Sequence, residues 1–130
     1  MNIRHASRSL TIVVVATAFV AACGGGGGGG SSYKQPTGSA KTTVDIKGGN
    51  FFFDPKNPQA PAGVDAIRLT SQGGMHTLVF AGGKVPNFKL EASSGKSDEL
   101  KVDLKPGTYT FYCDIPGHRE AGMEGTLTVQ

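Results

Sequence analysis

Disulfides, basic clusters and helical stripes are scarce in this chain. Only two of its 130 residues are cysteines, Cys23 and Cys113, so it contains no disulfide framework. Thirteen Lys and Arg face ten Asp and Glu, and without the first 22 residues, which carry Arg4 and Arg8, the balance is eleven to ten. A net charge near +1 with no basic cluster gives no electrostatic support for nucleic-acid binding. Residues 41–130 show no internal repeat and no helical apolar stripe, which argues against repeat and helical-bundle architectures.

The N-terminus has the parts of a secretory signal peptide. A basic start without acidic residues is followed by thirteen mostly apolar residues, 10–22, a run too short to span a bilayer comfortably. Residues 20–23, Val-Ala-Ala-Cys, resemble the bacterial lipobox, in which the cysteine is lipidated after cleavage. We therefore expect a signal peptide over 1–22, lipidation of Cys23 and an exported protein anchored to the cell membrane, facing the periplasm or the exterior. The alternative is an ordinary signal peptide or anchor that happens to contain a cysteine.

Residues 23–40 have the composition of a flexible tether. Seven consecutive glycines, Gly24–Gly30, precede a polar stretch with little apolar surface to bury. We expect this segment to hold a domain of residues 41–130 near the membrane while letting it reorient. With Cys23 lipidated, Cys113 has no internal partner. An unpaired thiol in an oxidising compartment is a buried inert residue, an intermolecular disulfide partner or a metal ligand.

Short alternating apolar segments predict the fold of residues 41–130. Turn signals such as Gly82-Gly83 and Pro106-Gly107 separate these segments, which favours an all-β, two-sheet Greek-key β-sandwich. An aromatic run, Phe51–Phe53, is expected to place alternate rings in the core; a docking surface is the alternative. The alternating apolar residues are Val44 and Ile46; Ile67 and Leu69; Leu78 and Phe80; Leu100, Val102 and Leu104; Tyr109, Phe111 and Cys113; Leu127 and Val129.

A C-x4-H-x4-M motif near the C-terminus indicates a metal site. Cys113, His118 and Met123 lie in a loop between two strand-like segments, and His76 stands upstream at the start of another strand. One thiolate, two imidazoles and a weak axial thioether are the ligands of blue-copper electron-transfer centres. Pro116-Gly117 permits the sharp turn that such a loop needs. The sequence therefore predicts one copper ion bound by these four side chains.

The order of these features resembles the cupredoxins, the family of plastocyanin, azurin, auracyanin and rusticyanin. The resemblance covers residues 43–130, and the loop spacing is nearest that of auracyanin and rusticyanin. It implies a type 1 copper site and a monomeric electron carrier, not an enzyme, that exchanges single electrons with membrane-associated redox proteins. One position departs from the family. Many members have Asn after the first histidine, where its amide ties the ligand loops together, whereas here Thr77 follows His76.

Several alternatives stay open at this point. Each histidine can be an ordinary core or surface residue, and Met123 can be a core filler. Met75 is a rival thioether, and its carbonyl is a possible distant fifth contact. Other functions compatible with the residues are copper delivery or storage and a copper- or Cys-dependent enzyme, with Asp114 and Glu120 as the only nearby acids. Cys with two His can also bind zinc, although a thioether favours copper.

Overall fold

The computed structural model describes residues 32–130, which form nine β-strands and one short 3-10 helix, Ala81–Gly83. The predicted signal peptide and Cys23 lie outside the described residues. Within residues 32–130, no helix is long and apolar enough to cross a membrane. The strands are β1 (Thr43–Gly49), β2 (Phe52–Asp54), β3 (Gln59–Ala60), β4 (Gly63–Ser71), β5 (His76–Phe80), β6 (Lys89–Ala92), β7 (Ser97–Leu104), β8 (Gly107–Tyr112) and β9 (Glu124–Val129).

These strands form two sheets, which confirms the predicted all-β, two-sheet fold. One sheet has the order β2-β1-β4-β7, with β1 parallel to β4. The other has the order β3-β9-β8-β5-β6, in which β5, β6, β8 and β9 are antiparallel neighbours. Chain segments cross repeatedly from one sheet to the other. The two sheets therefore fold around a single core.

The core follows the alternation seen in the sequence. On β1 the side chains of Val44 and Ile46 are buried and their neighbours are exposed. Leu100 is only half-buried, whereas the next two apolar residues of β7 are fully enclosed. Period-2 patterning thus placed the core faces correctly, because alternate side chains of a strand point to opposite sides of its sheet. The remaining strands contribute Ile67, Leu69, Leu78, Phe80, Leu90, Val102, Leu104, Phe111, Leu127 and Val129.

The burial of the aromatic run Phe51–Phe53 differs from the prediction that alternate rings lie in the core. Phe53 is buried, but Phe51 and Phe52 are 48% and 43% exposed. The physical reason is the turn that joins β1 to β2, where Gly49 pairs with Phe52 and only two residues connect the strands. Phe51 lies in that turn with a positive φ of 60°, so strand alternation does not govern its side chain. Two aromatic rings are therefore left on the surface.

Part of the predicted tether packs against the domain. The ring of Tyr33 meets that of Phe88 edge-on, with centroids 5.1 Å apart, and its hydroxyl donates to the carbonyl of Lys101 at 3.0 Å. The side chain of Gln35 accepts a hydrogen bond from the Lys101 amide at 2.8 Å, and the Gly38 carbonyl accepts one from the Lys101 ammonium at 2.7 Å. Ordered contacts with the domain therefore begin at Tyr33, ahead of the predicted boundary at residue 41.

Candidate metal centre

The pairing of β5 with β8 brings the first two candidate ligands together. His76 begins β5, and Cys113 directly follows β8. These strands are antiparallel, with Val79 opposite Tyr112, so the start of one lies beside the end of the other. The loop that leaves β8 then carries His118 back over the same end of the sandwich. Residues separated by 37 positions in the sequence thus become neighbours.

Three of the predicted ligand residues form a compact cluster. One ring nitrogen of His76, one of His118 and the sulfur of Cys113 all lie within 4.8 Å of one another. The sulfur is 3.5 Å from Nδ1 of His118, and the two imidazole centroids are 5.4 Å apart. His76 and Cys113 are buried, whereas His118 is half-buried. Two nitrogens and one sulfur therefore face a common point near the surface of the protein.

His76 has one ring nitrogen available for a metal. Its Nε2 lies 2.8 Å from the carbonyl of Gly73, which requires the proton to be on that nitrogen in the neutral ring. Its Nδ1 is buried and has no hydrogen-bond partner within residues 32–130. Burial lowers the pKa of His76, and the nearby His118 lowers it further, against the opposing effect of the Gly73 carbonyl. A neutral imidazole with one orphaned nitrogen is the form that binds metal ions.

The ligand loop is held by its own backbone. The amide of Met123 donates to the carbonyl of His118 at 3.0 Å, and the amide of Cys113 donates to the carbonyl of Met123 at 3.1 Å. Gly117 and Gly122 have φ values of 84° and 110°, which L side chains rarely adopt. The predicted turn at Gly117 is present. The loop therefore positions its candidate ligands through hydrogen bonds that need no metal.

The two methionines occupy different environments. Met123 is fully buried, and an ideal Cβ placed on Gly48 would lie 3.2 Å from its Cε and 3.3 Å from the ring of His76. The Met123 side chain and the first histidine thus both border Gly48, where an added Cβ would be crowded. Met75 is 55% exposed. These environments favour Met123 over Met75 as the thioether of the site, and its role as a ligand stays a prediction.

Thr77 connects the two ligand segments despite the departure from the family pattern. Its hydroxyl oxygen is 2.6 Å from Oδ1 of Asp114, 2.9 Å from the amide of Asp114 and 3.4 Å from the sulfur of Cys113. Its backbone amide also donates to that sulfur at 3.4 Å. The sequence showed Asp114 only as an acid near the motif, and its hydrogen bond to Thr77 was not predicted.

An exposed aromatic side chain packs against His118. Its ring meets that of Phe51 edge-on, with centroids 5.2 Å apart. Phe52 and Met75 are the other exposed large apolar side chains of the described residues. Sequence reasoning favoured alternate rings of the phenylalanine run in the core and kept an exposed docking surface as the alternative. The signal that could have found it is the Gly48-Gly49-Asn50 turn, which interrupts the strand just before Phe51.

The donor set of this cluster fits copper. A buried thiol and two imidazoles, one with an orphaned Nδ1, supply the soft sulfur and the borderline nitrogens that copper prefers. Asp114, the nearest carboxylate in the hydrogen-bond network, is engaged by Thr77 and Lys89 and does not point into the cluster as a hard ligand. His76, Cys113 and His118 thus form a candidate type 1 copper site.

Comparisons with known proteins agree with this site. A plastocyanin of Dryopteris crassirhizoma is 38% identical over 105 residues, covering 70% of this chain and all of that protein. Auracyanin-B of Chloroflexus aurantiacus is 31% identical over 86 residues, covering 66% of this chain and 34% of that protein. A crystal structure of auracyanin B has the same fold, with a TM-score of 0.65 and 24% identity over 78% of this chain and 96% of its own.

Residues 40–130 match a family described as copper binding proteins, plastocyanin/azurin family. That range contains both sheets and all four predicted copper-ligating residues. The resemblance to the cupredoxins is therefore confirmed, and the chain belongs to the plastocyanin/azurin family of copper-binding proteins.

Proposed function

We propose that this protein is a single-electron carrier whose copper ion is held by His76, Cys113, His118 and Met123. The observation that carries the proposal is the buried histidine–cysteine–histidine cluster, in which Nδ1 of His76 has no other partner. When bound, copper supplies a one-electron couple between Cu(I) and Cu(II) at this position. Family membership supports electron transfer as the use of that couple.

The residues around the candidate ligands support electron transfer by holding the ligand side chains in fixed positions. His76 is held by strand β5 and by the Gly73 carbonyl, and Cys113 is held by Thr77 and by the backbone of Met123. Such a scaffold limits how far the ligand side chains rearrange when the charge of the site changes. Small rearrangement lowers the barrier to electron transfer. The half-buried His118 gives the electron a route to the apolar face around it.

Catalysis and copper delivery are less well supported. An enzyme at this site would need an open coordination position and an acid–base group, but Asp114 is committed to Thr77 and Lys89, and Glu120 is an exposed loop residue. A delivery protein would need ligands that exchange readily. Full burial of the Cys113 sulfur opposes such exchange.

We also propose that the protein is exported and lipid-anchored through Cys23. The support is the signal-like N-terminus, the lipobox-like residues 20–23 and the glycine run that follows. Redox proteins of the same membrane are then its natural donors and acceptors. Cys23→Ser should release the protein from membranes in detergent partitioning without changing the copper domain. Equal membrane retention of both forms would rule out lipid as the anchor.

The electron-carrier proposal is tested by absorption spectroscopy of the copper-loaded protein. A thiolate bound to Cu(II) gives an intense charge-transfer band in the visible, and Cys113→Ser should abolish it even where some copper stays bound. Serine is chosen because it is close to cysteine in size and lacks the sulfur. A wild-type Cu(II) complex without this band would refute the assignment.

A further inference from the structure

The hydroxyl group of Thr77 lies near two hydrogen-bond acceptors but has only one hydrogen to donate. Its oxygen lies within hydrogen-bond distance of the Cys113 sulfur, at 3.4 Å, and of the Asp114 carboxylate, at 2.6 Å. It also accepts a hydrogen bond from the amide of Asp114 at 2.9 Å. A hydroxyl group carries a single proton and can donate it to one acceptor at full strength. The sulfur and the carboxylate therefore compete for it.

The distances decide this competition. A separation of 2.6 Å is that of a charge-assisted hydrogen bond from a hydroxyl to a carboxylate. The contact with sulfur measures 3.4 Å, an ordinary length for a hydrogen bond to this larger atom, so the carboxylate is favoured by its charge and by its short distance. The hydroxyl hydrogen consequently points toward Asp114 and away from the sulfur. This leaves the backbone amide of Thr77 as the donor to the sulfur from this residue.

Lys89 holds the carboxylate of Asp114 where it can accept the hydrogen bond of the Thr77 hydroxyl. Its ammonium is 3.1 Å from Oδ2 of Asp114, while Oδ1 faces Thr77. The same ammonium lies 3.2 Å from a carboxylate oxygen of Glu91. Lys89 is on β6, next to the strand that begins with His76. An ion pair outside the ligand set is thus connected to the ligand sulfur through one hydroxyl group.

We propose that Asp114 accepts the hydrogen bond of the Thr77 hydroxyl and so withholds a second hydrogen bond from the sulfur of Cys113. Hydrogen bonds to the ligand sulfur draw electron density from it and favour the reduced metal, which raises the reduction potential. The Asp114–Lys89 pair then keeps the potential low and acts as a positioning pair that contacts no metal. This inference rests on the proposed copper function and concerns how its potential is set.

The test separates the effect of the Asp114 charge from the effect of its hydrogen bond with the Thr77 hydroxyl. Asp114→Asn removes the charge but keeps an acceptor for the hydroxyl, whereas Asp114→Ala removes both. With Thr77 present, we expect voltammetry to show that the Ala variant favours the reduced state about tenfold more than the Asn variant, ~59 mV for a one-electron couple. The charge-transfer band of the Ala variant should also lie at shorter wavelength, because its sulfur accepts a second hydrogen bond.

The same pair of substitutions in a Thr77→Val background provides the decisive comparison. Valine keeps the shape of threonine and removes the hydroxyl, so the Ala and Asn variants should then agree within about twofold. Glu99→Gln is the matched control for the loss of one negative charge, since Glu99 on β7 pairs with Arg68 in the other sheet. Its potential should equal that of the wild type within about twofold. Thermal unfolding without copper shows that each variant is folded.

Two outcomes would overturn the inference. One is an equal potential for the Ala and Asn variants when Thr77 is present; the other is an unchanged difference between them in the Thr77→Val background. Either result with a normal charge-transfer band in the wild type refutes the proton competition and leaves the copper function standing. A wild type without that band refutes the proposed function itself, so the two failures are distinguishable.

Discussion

Phe51 and His118 pack edge to face, with ring centroids 5.2 Å apart and planes at 86°. The phenylalanine belongs to the β1–β2 turn and the histidine to the ligand loop, so the pair joins the two sheets beside the copper site. Nearly half of the Phe51 side chain is open to solvent. The outer edge of the candidate ligand is therefore flanked by an exposed aromatic ring.

Phe51→Glu should slow electron self-exchange about tenfold, because it places a charge in the apolar face through which two copies approach each other. The reduction potential should change far less than the rate. With a charge near +1 for the chain without its first 22 residues, the wild-type rate should depend weakly on ionic strength. Nuclear magnetic resonance line broadening in mixtures of both oxidation states measures the rate.

Thr108→Glu is the matched control for this prediction. It adds the same charge at an exposed position near the start of β8, whereas Cys113 follows the end of that strand. Its self-exchange rate should stay close to that of the wild type. Equal slowing by both substitutions would mean that net charge, and not the face around Phe51, controls the approach.

Met123→Leu should raise the reduction potential, because it removes a weak axial thioether that stabilises Cu(II) relative to Cu(I). The visible band should be retained, since the thiolate of Cys113 is unchanged. Met123→Gln supplies a harder oxygen and should lower the potential. Shifts of ~59 mV, a tenfold change in a one-electron equilibrium, are expected in voltammetry. Met75→Leu is the control, since that side chain is exposed. If only the Met75 variant moves the potential, the ligand has been wrongly assigned.

Tyr33→Ala should lower the free energy of unfolding by about 2 kcal/mol, since it removes an aromatic pair and a hydrogen bond. Tyr33→Phe keeps the ring contact with Phe88 and should lose about 1 kcal/mol. Denaturation with urea measures both values. Lys34→Ala, at the next and exposed position, should change stability by less than about 0.5 kcal/mol.

The same contacts make a prediction for shortened forms of the protein. A chain beginning at Lys41 lacks Tyr33, Gln35 and Gly38, so it should unfold at a lower urea concentration than a chain beginning at Ser32. Equal midpoints for the two chains would show that the packed N-terminal segment contributes nothing to the stability of the domain.

Asp65→Asn should stabilise the protein at pH 7 by about 1 kcal/mol, because it replaces a buried carboxylate by a neutral amide of the same shape. Asp65 on β4 is fully buried, and its carboxylate oxygens have no hydrogen bond of good geometry within residues 32–130. Burial raises the pKa of its carboxyl group, and the amide of Thr42 and the charge of Lys41 oppose that effect only in part.

The sign of the pH dependence follows from that raised pKa. The folded state binds the proton of Asp65 more tightly than the unfolded state, so its stability is full below the unfolded pKa and falls as pH rises through the folded pKa. Asp65→Asn should flatten the stability profile above about pH 4. A wild-type profile that rises over this range would contradict the prediction.

Much of the fold and the candidate site was predictable because the signals are local. The alternation at Val44 and Ile46 reflects the two-residue period of a strand, which every residue of that strand obeys independently. The spacing of Cys113, His118 and Met123 reflects a loop too short to take many shapes around one ion. Chemistry of the side chains adds the rest, since thiolate, imidazole and thioether together favour one kind of metal.

Contacts between distant segments could not be predicted in the same way. Nothing near Phe51 indicates that its ring lies on His118, and nothing near Tyr33 indicates that it packs on Phe88. Thr77 and Asp114 each look ordinary in the sequence, because their hydrogen bond exists only when β5 and β8 pair in one register.

The sequence by itself determined which strands are amphipathic, which family the chain belongs to and which side chains can bind copper. The tertiary structure decided which nitrogen of His76 is free, which methionine is buried and which groups lie within hydrogen-bond distance of the Thr77 hydroxyl. The physical reason is that periodicity and ligand chemistry are properties of neighbouring residues. Burial, tautomer and hydrogen-bond choice depend on what the rest of the chain places within a few ångströms.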